Sequence, residues 1–213
     1  MNRFFQALFF LLVVRPLVAI VLGLNVRAGE RLPLTGPAIM AANHNSHLDT
    51  LTLMSLWPLA RVHRVRPIAA ADYFLTEAKL AWFSLNIMHI IPIDRERKER
   101  EDDPLAAPAA ALTRNEILVL FPEGSRGQPE QLSRFKSGVA RLAERCPQAP
   151  IVPVFMHGLG KALPRGDFLL VPFFVDVVIG EPIYWQGSVA ATMDAYETAM
   201  RGLASQVDMP LWE

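Results

Sequence analysis

A single cysteine, Cys146, stands in a chain of 213 residues and has nothing to pair with inside it. A disulfide-stapled scaffold is excluded, so stability has to come from a core. Charge of one sign is lacking as well: 21 basic and 21 acidic side chains cancel to a formal charge of zero. A dedicated nucleic-acid binder carries a basic excess, so no nucleic acid is expected as a partner. No internal repeat is evident. Charged residues make up only 20% of the chain against 52% hydrophobic ones, and such a chain buries enough surface to fold, which excludes disorder. The length suits one domain with a sizeable core.

What the chain has in abundance is apolar sequence, much of it at the N-terminus. Within residues 4–24 only Gln6, Arg15, Pro16 and Gly23 are not apolar. That length fits a membrane span, but Arg15-Pro16 falls near its middle. An arginine at a bilayer centre costs roughly 2.5–3.5 kcal/mol, and a proline breaks or kinks the helix. The expectation is two short helices, 4–14 and 17–24, dipping into one leaflet with Arg15 among the headgroups. A cleaved signal peptide and a buried core helix stay open as alternatives. Residues 1–26 are thus expected as an N-terminal membrane-associating segment and 27–213 as the domain. Up to Ile90 there are eight basic residues (Arg3, Arg15, Arg27, Arg31, Arg61, Arg64, Arg66 and Lys79) and four acidic ones, a bias that suits an anionic membrane surface or an ordinary solvated face.

Short β-like runs recur at 38–42, 90–93, 117–121, 151–155 and 169–179. Helical patterns lie at 48–56, 73–85, 108–115, 137–146 and 189–207. This alternation predicts an α/β fold: a single domain with a central, largely buried β-sheet flanked by helices. The charged stretch 94–103 reads in its latter part as an exposed loop. In such sheets, sites gather where strands end.

Two polar constellations sit at such places. The first is 43–49, Asn-His-Asn-Ser-His-Leu-Asp. His44 follows an apolar run and precedes a helix that Asn45 or Ser46 can cap, which places Asp49 in its first turns. A general base with an orienting carboxylate is the chemical reading. A metal site using His44, His47 and Asp49, or a purely structural histidine, remains open, although metal histidines on a helix usually stand at i, i+4. A second pair with this spacing, His89 and Asp94, spans an extended segment, where residues five apart lie roughly 16 Å from each other and cannot pair. The second constellation is 121–127, Phe-Pro-Glu-Gly-Ser-Arg-Gly, after an apolar strand. Glycine admits a close approach, Arg126 suits a phosphate, and Glu123 can hold a ligand hydroxyl or Arg126 itself. Arg134 and Lys136 downstream add positive charge. Ser125 lacks the glycine spacing of a nucleophile elbow.

These segments resemble the glycerolipid acyltransferase family that includes the 1-acylglycerol-3-phosphate acyltransferases. The motifs 43–49, 90–95 (Ile-Ile-Pro-Ile-Asp-Arg), 121–126 followed by Phe135-Lys136-Ser137-Gly138, and 151–154 (Ile-Val-Pro-Val) come in the family's order. The segment 178–183 is similar to its end-of-domain strand, and the likeness runs over about residues 35–185. The resemblance implies that His44 deprotonates the hydroxyl of a lysolipid acceptor, which attacks an acyl-CoA or acyl-ACP (acyl carrier protein) thioester, while Asp49 orients His44. Arg95, Glu123, Gly124, Ser125, Arg126 and Lys136 would hold the acceptor's phosphate or headgroup, and Pro153 would belong to a strand lining the site. It implies no cofactor beyond the co-substrate, no metal and no covalent acyl-enzyme. The enzyme would work at the cytoplasmic face of a membrane, with 1-acyl-sn-glycerol-3-phosphate as acceptor and phosphatidate as product. A different lysophospholipid or a lyso-aminolipid is the alternative acceptor, and a non-catalytic lipid-binding protein the alternative class. Two positions depart from the family pattern and are expected near the acceptor: His89 stands where a glycine is usual, and residues 68–74 lack the lysine carried by many phosphatidate-forming members.

Overall fold

A computed structural model gives the fold and describes residues 2–74, 76–94, 103–125, 127, 132–162 and 171–207. Seven strands form one mixed sheet: β1 (Leu22–Arg27), β2 (Ala38–Ala42), β3 (Val65–Ala70), β4 (Ile91–Ile93), β5 (Ile117–Leu120), β6 (Ile151–His157) and β7 (Phe173–Ile179). Their order is β1-β7-β6-β2-β5-β3-β4, and all neighbours are parallel except β6 and β7. Five strands therefore share one direction, and β1 and β7 run against them.

The sheet is covered on both faces, and strand alternation divides the core between them. In β2, Ala38, Met40 and Ala42 face a cluster that includes Phe10, Val14 and Val18 of the N-terminal helix and Leu53 and Met54 of helix Asp49–Ser55. Ile39 and Ala41 face the other way, toward Leu112, Leu142, Tyr196 and Met200 of helices Ala106–Thr113, Gly138–Arg145 and Val189–Ala204. The expected α/β architecture is thus the observed one.

Two strands escape the sequence reading. Residues 22–26, expected to finish the apolar helical segment, are instead the edge strand β1, paired with β7 from Leu22↔Phe173 onward. β3 carries Arg66 and Pro67, which demote a strand by propensity. Burial between β5 and β4 overrides that, and Arg66 finds Glu116 at 3.2 Å and the His89 carbonyl at 2.7 Å.

The N-terminal helix also differs from expectation. Asn2–Ile20 is one helix, long and apolar enough by length and composition to cross a membrane. Pro16 does not split it. The turn Phe10–Val14 widens into a π-helix, where the Arg15 amide donates to the Phe10 carbonyl five residues back. A widened turn accommodates a residue that lacks an N–H and crowds the carbonyl before it. Arg15 is half-buried and donates to the Trp57 carbonyl at 3.0 Å. Residues 6, 10, 14 and 18 form a buried stripe at i, i+4 spacing, and Phe10, Val14 and Val18 pack into the core on that face of the sheet. Removing residues 1–26 would therefore strip a core face and an edge strand together.

Candidate active site

The carboxyl ends of β2 and β5 lie side by side and place both constellations there. Asn43 is buried where β2 ends. Its side-chain amide donates to the Met156 carbonyl at 2.8 Å and accepts from the Met156 amide at 2.7 Å, which clamps the end of β2 to β6. The chain then turns out of the sheet at His44.

The His44 and Asp49 side chains meet, with Nδ1 and Oδ2 2.8 Å apart. The same carboxylate oxygen accepts from the Asn45 amide at 2.7 Å and the Ser46 amide at 2.9 Å. Leu48 holds the N-cap position, and the Ser46 hydroxyl accepts from the Leu48 amide at 3.3 Å. Asp49, the first residue of the helix, reaches back and gathers the loop. Its side chain is 1% exposed, whereas that of His44 is 21% exposed. The carboxylate assigns the proton to Nδ1 and leaves the Nε2 lone pair free to act as a base. The imidazole stacks on the Phe121 ring, with centroids 4.1 Å apart and planes 17° from parallel. One edge of the imidazole is fixed by charge and one face by packing. Among the described residues, no three His, Cys, Asp or Glu side chains converge as a metal site would need.

Beyond β5, Phe121–Gly124 is a tight turn closed by the Gly124 amide on the Phe121 carbonyl at 3.0 Å, with Pro122 in the position that favours its fixed φ. Glu123 is buried and points inward. One carboxylate oxygen accepts from the His44 amide at 3.2 Å, the other from the Ser133 hydroxyl at 2.6 Å. Burial raises its pKa, and the two donors and the nearby His44 oppose that rise only in part. Glu123 therefore braces the loop that carries His44, and both its oxygens are engaged within the protein. Gly127 adds a second tie, its amide donating to the His44 carbonyl at 2.9 Å.

Gly124 has φ +76°, in the region that glycine enters freely, and a Cβ there would stand 2.6 Å from Lys136 Nζ and 2.8 Å from Cε. The stem of Lys136 thus lies across this glycine, and its amide donates to the Pro122 carbonyl at 2.8 Å. Ser125 is exposed on the same turn. Pro153 is not brought to His44: it is buried mid-strand, level with Ala41 and packed against Gly180. Arg95 and Arg126 lie outside the described residues. Sequence reasoning missed Asn43, Phe121 and Ser133 as supports. Only Asn43 and Phe121 carried a signal, as the residues at which an apolar strand gives way to a polar turn.

His89 has φ +53°, which explains why glycine suits that position. It lies at the amino end of β4, the opposite end of the sheet from His44, so the expectation of a place near the acceptor is corrected. Burial, and secondarily Arg66, lower its pKa.

A family model described as Acyltransferase matches residues 23–157. A chloroplastic 1-acyl-sn-glycerol-3-phosphate acyltransferase of Brassica napus is 28% identical over 162 residues, covering 75% of this chain and 45% of that protein. The alpha form from Mus musculus is 33% identical over 133 residues, covering 62% and 44%. The chain spans less than half the length of these relatives. The crystal structure of the 1-acyl-sn-glycerophosphate (LPA) acyltransferase PlsC from Thermotoga maritima shares the fold, with a TM-score of 0.74 at 20% identity over 98% of this chain and 81% of that one.

Proposed function

The chain belongs to the acyltransferase family, and on that premise we propose that it moves a fatty acyl group from an acyl-CoA or acyl-ACP thioester to the free hydroxyl of 1-acyl-sn-glycerol-3-phosphate, giving phosphatidate. The observation that carries this reading is the 2.8 Å contact between His44 and the buried Asp49 at the carboxyl ends of β2 and β5. His44 Nε2 takes the acceptor's hydroxyl proton as the oxygen attacks the thioester carbon. Asp49 stabilises the imidazolium that forms. The C–S bond breaks, and the thiolate leaves with the proton that Nε2 returns. Arg95, Arg126 and Lys136 are the cations assigned to the acceptor's phosphate. Glu123 acts through His44 as a positioning residue. No further cofactor is needed, since the thioester supplies both the acyl group and the leaving group. The helix Asn2–Ile20, tied to the sheet along one stripe, lies in the plane of a cytoplasmic leaflet and keeps the site beside its poorly soluble lipids.

Thiol release from acyl-CoA and from acyl-ACP, measured with a panel of lysolipids, tests this. Lysophosphatidate should give the highest kcat/KM. Asp72, exposed just beyond β3 in the segment 68–74 that lacks the lysine of many phosphatidate-forming members, favours a second reading in which the acceptor bears a cationic amine. Faster transfer to an amine-bearing lysolipid would select that reading. No acceleration by any lysolipid would remove the transferase assignment.

Gly124→Ala probes the cationic side of the site. The left-handed backbone adds strain of roughly 1–3 kcal/mol, and the methyl group displaces Lys136. A several-fold rise in acceptor KM with a smaller change in kcat is expected. An unchanged acceptor KM in a folded variant would remove Lys136 from acceptor binding.

A further inference from the structure

Helix Ala78–Asn86 is not called upon by the chemistry above, yet it presents apolar surface to solvent. Trp82 is 57% exposed and Leu85 is exposed beside it. The helix runs against the N-terminal one: Asn2 Nδ2 donates to Asn86 Oδ1 at 2.8 Å, and the Phe9 and Phe83 rings meet edge to face at 5.2 Å. Between the two helices lies an open groove of about 420 Å³, lined by Phe5, Leu8, Leu12, Val13, Trp82 and Ile87 together with the Phe9–Phe83 pair.

On the N-terminal helix, residues 5, 8, 9, 12 and 13 follow i, i+3, i+4 spacing, next to the stripe that packs on the sheet. Ile20, two turns beyond Val13 on the same side, is 82% exposed and stands at the sheet end that carries His44. The apolar strip thus starts at the far end of the sheet and finishes beside the active-site end. A soluble partner for so long a strip would be expected to meet charges of both signs. Here residues 2–20, 61–66 and 77–86 hold Arg3, Arg61, Arg64 and Lys79 at the surface against one acidic residue, Glu77, at the N-cap of helix Ala78–Asn86. Arg3 and Arg64 both lie near enough to His63 to help burial lower its pKa, so the two cations share one edge of this surface. Arg3, Arg64 and Lys79 form no ion pair among the described residues. Lys79 is one turn before Trp82 and on its face. A tryptophan with an apolar body and one N–H donor, next to unpaired cations, suits the boundary between hydrocarbon and anionic headgroups.

We propose that the two helices form one membrane-docking surface, in which the groove between Trp82 and the N-terminal helix takes the acyl chain of an anionic bilayer lipid. The proposal deepens the interfacial reading given above by adding a second helix to the anchor. It makes Trp82, 62 residues beyond Ile20, the probe of depth.

The experiment uses the full chain, with vesicles of phosphatidylcholine alone or mixed with phosphatidylglycerol, and lipids brominated either near the headgroup or near the chain end. Wild-type tryptophan emission should be quenched, more strongly by bromine near the headgroup, and most of that quenching should vanish in Trp82→Phe. Trp82→Asp should weaken binding to the anionic vesicles about tenfold and leave turnover of a soluble short-chain acceptor within twofold. Lys79→Glu should weaken binding only where anionic lipid is present. Equal quenching in Trp82→Phe, or vesicle binding by Trp82→Asp at wild-type level, overturns the proposal. A concentration-dependent dimer without quenching also overturns it and gives the groove to a second copy of the chain. Failure of the transferase reading looks different: vesicle binding and quenching as expected, but no thiol release with any acceptor.

Discussion

His44→Ala is expected to lower thioester-dependent transfer by roughly 10²–10⁴-fold, the usual contribution of a positioned general base. The loss should fall on kcat, because the base acts on a proton in flight and holds neither substrate in the ground state. The fold should survive. His44 is partly exposed, and its removal forfeits one stacked ring contact with Phe121, worth about 0.5–1.5 kcal/mol. Asp49 keeps the Asn45 and Ser46 amides in this variant, so the loop and the start of helix Asp49–Ser55 stay in place. The measurement is single-turnover acyl transfer beside a thermal melt and a vesicle-binding curve. A variant that melts within a few degrees of the wild type, binds vesicles and still transfers at a near-normal rate would end the assignment of His44 as the base.

What makes this prediction available from sequence is that the site's chemistry is local. His44 and Asp49 are five residues apart, and the strand-to-helix turn between them is short enough to read. The same arithmetic separates this pair from His89 and Asp94, between which β4 (Ile91–Ile93) runs extended. The supports, by contrast, are not local. Glu123 meets the His44 amide across 79 residues, and Asn43 meets Met156 across 113. A glutamate in a glycine-containing turn offers equally good reasons to bind a ligand or to brace a loop. The three-dimensional path of β2, β5 and β6 brings Glu123 to the His44 amide, a contact its sequence position does not announce. Pro153 is a further case in which the motif does not tell what the side chain touches: it packs against Gly180, while its strand goes on to meet Asn43 at Met156.

The same division explains the fold. Strands whose two faces are both buried read as continuous apolar runs, so β2, β5 and β6 were legible from their residues alone. β1 was hidden because its Leu22 and Leu24 extend a helix that is itself apolar. β3 was hidden because Arg66 depends on Glu116, 50 residues away, to be tolerable beside the core. The composition of the N-terminal helix marks it as apolar but does not reveal that a narrow stripe at 6, 10, 14 and 18 suffices to fasten it to the domain. That stripe changes how the membrane anchor has to be tested. Deletion would damage the domain, whereas polar substitutions on the exposed Phe4, Phe5 and Leu11 would leave the packed stripe untouched.

Asp49→Ala should combine a catalytic loss with a structural one, and the two can be separated. One carboxylate oxygen accepts from His44, Asn45 and Ser46, so its removal strands two buried backbone amides and frees the imidazole. An unsatisfied buried donor costs about 1–3 kcal/mol, and each kcal/mol lowers the melting temperature of a domain this size by roughly 2–4 °C. Asp49→Asn restores the acceptor. Its amide oxygen can face the loop and His44 Nδ1 as the carboxylate did, so much of the melting temperature should return. The charge does not return, and an imidazolium formed during transfer then lacks its counter-ion. Turnover in Asp49→Asn should stay about 10²-fold or more below wild type, since a unit charge 4 Å away is worth about 4 kcal/mol at an effective dielectric constant near 20. The decisive comparison is the double variant. If His44 and Asp49 act as one unit, His44→Ala combined with Asp49→Asn should be hardly slower than His44→Ala alone, because without the base there is no imidazolium to stabilise. If the two losses multiplied instead, Asp49 would be acting on the substrate or on the fold by a route that does not pass through His44, and the dyad would have to be abandoned even though its 2.8 Å contact remained.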